Sequence, residues 1–117
     1  MTNTFKDIDK FGSACDQSPS QENYEMYLNL ITEEYTELQQ AVADQDKLEQ
    51  LDALIDILVV TMGAIRAAGW NGDSAWNEVM RTNFAKIDPD TGKVRKREDG
   101  KVLKPEGWKP PELAQFL

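Results

Sequence analysis

Two acidic pairs fall at helical spacing where solvated surface acids have no reason to gather. The stretch Glu33-Glu34-Tyr35-Thr36-Glu37 carries the first. Residues three apart lie about 60° apart around a helix axis, so Glu34 and Glu37 share a face. Leu30 and Ala41 lie one turn away on that face. Asp52 and Asp56, four apart, form the second pair and are embedded in the apolar run Leu51 to Val60. If the two segments are adjacent antiparallel helices, the pairs sit at similar distances from the connecting turn and face each other. Like charges at about 4 Å cost roughly 4 kcal/mol at a surface-like dielectric. Protons on acids of raised pKa would relieve this, and so would divalent cations. An oxygen-only ligand set suits magnesium, with manganese as a substitute, rather than zinc or copper. The plain alternative for Glu33, Glu34 and Glu37 is a solvated helix face. Asp52 and Asp56 inside an apolar run are harder to explain that way.

The elements that must position these acids are helices. Phe5, Ile8 and Phe11 mark a first short helix over about Asn3 to Cys15, broken by Asp16-Gln17-Ser18-Pro19-Ser20. Ser20 is a candidate N-cap for a second helix to about Asp44, with an apolar stripe of Tyr24, Tyr27, Leu28, Ile31, Tyr35, Leu38 and Val42. Asp46, with Glu49 three residues on, caps a third helix that ends at Gly69. The short linker makes helices two and three an antiparallel hairpin. Asp73 or Ser74 caps a fourth helix to about Lys86, with Trp76, Val79, Met80 and Phe84 on its inner face. Beyond Ile87 the character changes. Lys93 to Lys104 around Glu98-Asp99-Gly100 predicts a β-hairpin, and Pro105 to Leu117 an extended tail. The expected organisation is therefore an all-α helical domain over residues 1–87, with a hairpin and tail over 88–117 packed on it or on a partner subunit.

Composition narrows the chemistry. The chain of 117 residues fits one domain and has no histidine. That removes Ser-His and Cys-His nucleophiles, most zinc sites, and the Glu-x-x-His pairs of di-iron bundles. Acid–base work falls to Asp, Glu, Lys, Tyr or metal-bound water. Cys15 is the only cysteine, so no internal disulfide forms, and a reducing cytoplasm is the expected setting. A net charge of −8 argues against a nucleic-acid binder. No N-terminal stretch reads as a signal peptide, and the longest apolar run is too short for a membrane span.

Glu33-Glu34-x-x-Glu37, followed on the next helix by an acid pair ending in Asp56, resembles the MazG-like all-α nucleoside triphosphate pyrophosphohydrolases. The superfamily includes dimeric dUTPases, dCTP pyrophosphatases and phosphoribosyl-ATP pyrophosphohydrolase. Gly69-Trp70-Asn71 lies at the matching distance from Asp56, and Asn83-Phe84-Ala85-Lys86 resembles the family's Asn-x-x-Lys element. The tail, Asp90 to Lys104 and then Gly107-Trp108-Lys109-Pro110-Pro111-Glu112-Leu113, resembles a phage and bacterial subgroup. One departure stands out. The usual second motif, Glu-x-x-Asp, would put a glutamate at position 53, where this chain has Ala53, with Asp52 one position earlier. Glu49 with Asp52 also fits the bare pattern; Asp52 with Asp56 is preferred.

The resemblance implies a four-helix bundle in which Glu34, Glu37, Asp52 and Asp56 bind two or three magnesium ions. These would clamp a nucleoside triphosphate and lower the pKa of a bound water. Attack at the α-phosphorus would release pyrophosphate, with Glu33 or Glu37 taking the proton. Asn83 and Lys86 fit the family's substrate-binding pattern. Gln17 is a candidate for hydrogen bonding to a base edge. Trp70, Trp76 and Tyr35 could stack on a base, though aromatic residues at helical spacing are more often core. The family's exposed apolar face implies a homodimer or a dimer of dimers. The expected role is cleansing of the nucleotide pool, without nucleic-acid or membrane partners. Phosphoribosyl-ATP hydrolysis is an alternative that the tail disfavours. A helical interaction module binding a basic partner is the non-enzymatic alternative.

Overall fold

The computed structural model describes residues 3–117. Four helices follow in order: α1 (Thr4–Ala14), α2 (Gln21–Ala43), α3 (Lys47–Ala67) and α4 (Gly72–Phe84), then one 3₁₀ turn, Ala114–Phe116. The chain is all-α. It divides into two compact units, Met1–Gly72 and Asp73–Leu117. No helix among the described residues is long and apolar enough to cross a membrane.

In the first unit, local signals start and stop each helix. The Asn3 side chain accepts from the backbone N–H groups of Phe5 and Lys6, opening α1. Ser20 Oγ accepts from Asn23 N at 3.0 Å, and Asp46 Oδ1 from Glu49 N at 3.1 Å. Each satisfies an N–H that the helix leaves without a partner. Gly69 follows α3 at φ +79°, a left-handed conformation that costs glycine little. Between α2 and α3 the chain reverses within three residues. Gln45 adopts φ +54°, and Asp46 N donates to the carbonyl of Ala41 at 3.0 Å.

The seam between α2 and α3 is built from small residues. Ala41, Ala53, Val60, Ala64 and Ala67 are buried, and no large side chain among the described residues is fully enclosed. Gly63 permits the closest approach, because an added Cβ would overlap the Tyr27 ring. The predicted stripe of α2 divides in consequence. Tyr24, Tyr27, Ile31 and Leu38 are half-buried, whereas Leu28, Tyr35 and Val42 are exposed. Helix α1 is held to α3 by Arg66. Its guanidinium pairs with Asp9 at 2.9 Å and also donates to the Gln17 carbonyl and to Ser13 Oγ. Gly12 leaves room for that guanidinium.

In the second unit three expectations are corrected. Helix α4 begins at Gly72, so Asp73 and Ser74 lie inside its first turn, where the charge of Asp73 favours the helix dipole. The expected inner-face residues Trp76 and Phe84 are exposed. The β-hairpin does not form as strands. Lys96 and Val102 make one isolated antiparallel bridge, and Ile87 and Val94 another. The Asp99-Gly100 turn is present, with Gly100 at φ +88°, but nearly every flanking residue is exposed. A two-stranded ribbon without a buried face has too little apolar area to propagate a ladder. The tail lies back on α4 instead: Trp108 Nε1 donates to the Thr82 carbonyl, and Glu112 N to Glu78.

Gly63→Ala should destabilise the protein by about 1–3 kcal/mol, the usual cost of overpacking a tight seam. Urea unfolding monitored by helical ellipticity should show a lower midpoint at an unchanged slope.

Candidate functional site

Two half-buried acids, with two exposed ones at the margin, lie where α2 and α3 run side by side. Glu34 lies on the inner face of α2, one turn from Ile31 and Leu38, and is half-buried. Asp56 lies between Ala53 and Val60 on the inner face of α3 and is half-buried too. Glu37 and Asp52 are exposed at the margin of the seam. Helix periodicity puts each pair on one face, and the short α2–α3 turn brings the faces together.

The electrostatics follow from this placement. Glu34 has its pKa raised above the usual carboxylate value, first by burial. The charge of Glu37 comes next, then its side-chain hydrogen bonding, and then the charges of Asp56 and Asp52. Asp56 is raised by burial, then by the charges of Asp52 and Glu37. The charges of Glu37 and Asp52 therefore bear on both Glu34 and Asp56. Glu34 Oε2 is buried with no hydrogen-bond partner. A buried acceptor without a donor normally costs free energy. Among the described residues no group of three or more acids closes into a ready ligand set.

The other candidates divide clearly. Glu33 is exposed and is not among the groups that perturb Glu34 or Asp56. Glu49 is absent from that interaction as well, although it lines an open acidic groove with Glu37, Asp44 and Asp46. Gln17 is committed on two sides, its Oε1 accepting from the Tyr27 hydroxyl at 2.6 Å and its carbonyl accepting from Arg66. Tyr27 precedes Glu34 by two turns, ~10 Å along the helix, so Gln17 stands away from the acids. Trp70 meets Tyr24 edge-on, ring centroids 5.5 Å apart, and these two line an open groove with Pro19, Ser20 and Ala67. Tyr35 and Trp76 are more than half exposed, so neither is core.

Within the second unit Asn83 and Lys86 are together, Lys86 Nζ donating to Asn83 Oδ1 at 3.1 Å. The Asn83 amide nitrogen reaches only the Met80 sulfur, at 3.7 Å, a weak acceptor that leaves its N–H groups available. Sequence reasoning missed Trp108, whose ring lies against Lys86 and Lys104. It also missed Glu78, held near pKa 2 by hydrogen bonds from Arg81 and then from the Glu112 backbone. The Trp108 contacts and the Glu112 bond to Glu78 both join the tail to α4.

The raised pKa values give a signed prediction. Below its unfolded value of 4.5 Glu34 is protonated in both states and its repulsion is absent. As pH rises through that value the unfolded chain releases its proton first, and stability falls until the folded group has also ionised. Without divalent cations, Glu34→Gln should raise the melting temperature at pH 8 by a few degrees, at roughly 4 °C per kcal/mol, and change little at pH 4. A calorimetric pH series checks this.

A search of curated proteins gave no match. The family model for phosphoribosyl-ATP pyrophosphohydrolase matches residues 10–83, which contain all four acids and end at Asn83. That family points to a pyrophosphohydrolase acting on a nucleotide-like substrate. With more than half its length matched, the chain belongs to the phosphoribosyl-ATP pyrophosphohydrolase family, within the MazG-like all-α pyrophosphohydrolase superfamily.

Proposed function

We propose that the protein hydrolyses nucleoside or deoxynucleoside triphosphates to the monophosphate and pyrophosphate, with magnesium, and so clears unwanted nucleotides. The observation that carries this reading is the buried, partnerless Glu34 Oε2, beside acids whose charges raise the pKa of Glu34 and of Asp56. The donor set is oxygen only, which fits magnesium or manganese. Glu34, Glu37, Asp52 and Asp56 would hold the ions. The small Ala53 occupies the buried seam position where the family motif carries glutamate, and Asp52 supplies the acid from the adjacent position. Bound magnesium would neutralise phosphate charge and acidify water.

The chain's own groups do the rest. Water adds to the α-phosphorus, the bond from that phosphorus to the bridging oxygen breaks, and pyrophosphate leaves with the bond electrons. With no histidine in the sequence, a carboxylate takes the water proton. Glu37 has the stronger claim, being exposed while its charge acts on both Glu34 and Asp56; Glu33, one residue before Glu34, is the second candidate. Lys86 carries the point charge for phosphate and Asn83 the amide donor. Gln17 is the weakest substrate contact proposed, since its side chain already accepts from Tyr27.

A homodimer, or a dimer of dimers, completes this reading. Leu48, Leu51, Ile55 and Leu58 repeat at spacings of three and four along α3 and are 77, 60, 51 and 56% exposed. An apolar stripe of that length is costly to leave in water, and a second copy would cover it. Leu51→Glu should reduce the mass measured by light scattering to that of one chain.

A second substrate is favoured by the description of the matched family, phosphoribosyl-ATP. One assay separates the readings: pyrophosphate release from canonical triphosphates, modified triphosphates and phosphoribosyl-ATP, each with and without magnesium. Turnover of ordinary triphosphates supports the proposal. Turnover of phosphoribosyl-ATP alone transfers the function to the second reading, and no turnover with any of them favours an interaction module. The double variant Glu37→Gln, Asp56→Asn should lose at least ~1,000-fold in rate, the scale of removing a large electrostatic contribution to catalysis. Activity near wild type in that variant sinks the site.

A further inference from the structure

The tail residue Trp108 is tied to α4 from 26 residues away, its indole Nε1–H donating to the Thr82 carbonyl at 2.7 Å. Thr82 is 2% exposed, the one buried polar residue among those described. A turn sets the ring: Gly107 is at φ +78° and Trp108 N donates to the Pro105 carbonyl at 3.1 Å. Two ammonium groups gather on it. Lys86 Nζ lies 5.0 Å from the ring centroid and Lys104 Nζ 4.8 Å. Among the described residues neither lysine is in an ion pair. Arg95 lines the same small pocket as Lys86. The one acid there, Asp88, accepts from the Asp90 backbone N–H at 2.8 Å.

Both ammonium groups are drawn to the same indole ring. The π-cloud of the indole attracts each of them. It does not consume their donors. Each ammonium has three N–H groups, and only one of those on Lys86 is used, by Asn83. The remaining donors and the unpaired charge suit a dianionic or trianionic oxyanion spanning both lysines.

We propose that Lys104 is a second phosphate-binding residue and that Trp108 is a positioning residue holding Lys86 and Lys104 as a two-lysine subsite for a diphosphate group. The inference deepens the reading of Lys86 as a phosphate ligand and rests on it. By holding two long side chains in place before the anion arrives, the ring reduces the entropy lost on binding.

The test is calorimetric titration of inorganic pyrophosphate into the full chain without divalent cations. Wild type should bind. Lys104→Met and Trp108→Leu should each weaken binding by about tenfold, and Trp108→Phe by no more than about threefold, because the phenyl ring keeps a cation–π face. With a turned-over triphosphate, Lys104→Met should raise KM and leave kcat nearly unchanged. The proposal is overturned if wild type binds no pyrophosphate, if Lys104→Met binds like wild type, or if Trp108→Phe is as weak as Trp108→Leu. Should Trp108→Leu fail to give a cooperative melt, Lys104→Met and Trp108→Phe decide between them. Wild type that binds pyrophosphate through Lys104 yet turns over no nucleotide would sink the enzymatic reading and leave the subsite standing.

Discussion

Carboxylates on adjoining helices repel one another, and the repulsion grows as water is withdrawn from between them. Glu34 and Asp56 are placed where that cost is greatest, on the inner faces of α2 and α3, with Glu37 and Asp52 beside them. A seam serving packing alone would carry alanine or leucine at these positions. Around them it does: Ala41, Ala53 and Val60 are buried on either side. The polar atoms are therefore a local exception within an otherwise ordinary helical hairpin.

The rest of the first unit supports that exception. Glycine and alanine at the seam bring the helix axes close, which draws the acids together. Caps at Ser20 and Asp46 set where each helix begins, and so the rotation at which its acids face the partner. Arg66, bonded to Asp9, Ser13 and Gln17, ties α1 and the break that follows it to the far end of α3. The same small-residue seam leaves the large apolar side chains of α3 outside. A thin two-helix core and an exposed leucine stripe are thus one fact seen from two sides.

The second unit solves the opposite problem. Here lysines gather, and neutral groups hold them: an indole ring and the Asn83 amide oxygen. Carboxylates are employed elsewhere in this unit, Glu78 with Arg81 and Asp99 with Arg97. Cations kept away from acids remain available to an anionic ligand, whereas Arg81 is already satisfied.

What the sequence determined by itself was local. Ser20, Asp46 and Gly69 announce helix ends because a cap needs only residues within one turn. The shared faces of Glu34 with Glu37 and of Asp52 with Asp56 follow from helical pitch, and their meeting from a linker too short for anything but a hairpin. Tertiary structure decided what depends on distant partners. Leu28, Tyr35 and Val42 look like core in the helical pattern, yet the tight seam around Gly63 leaves them outside. Gln17 reads as a free polar residue until Tyr27 takes its side chain. Lys93 to Lys104 has hairpin chemistry at its turn, but strands need an apolar face to bury and this ribbon finds none. Trp108 carries no periodic signal at all. Its partners Thr82 and Lys86 lie on another element, and only the folded chain brings an indole N–H to a carbonyl on α4.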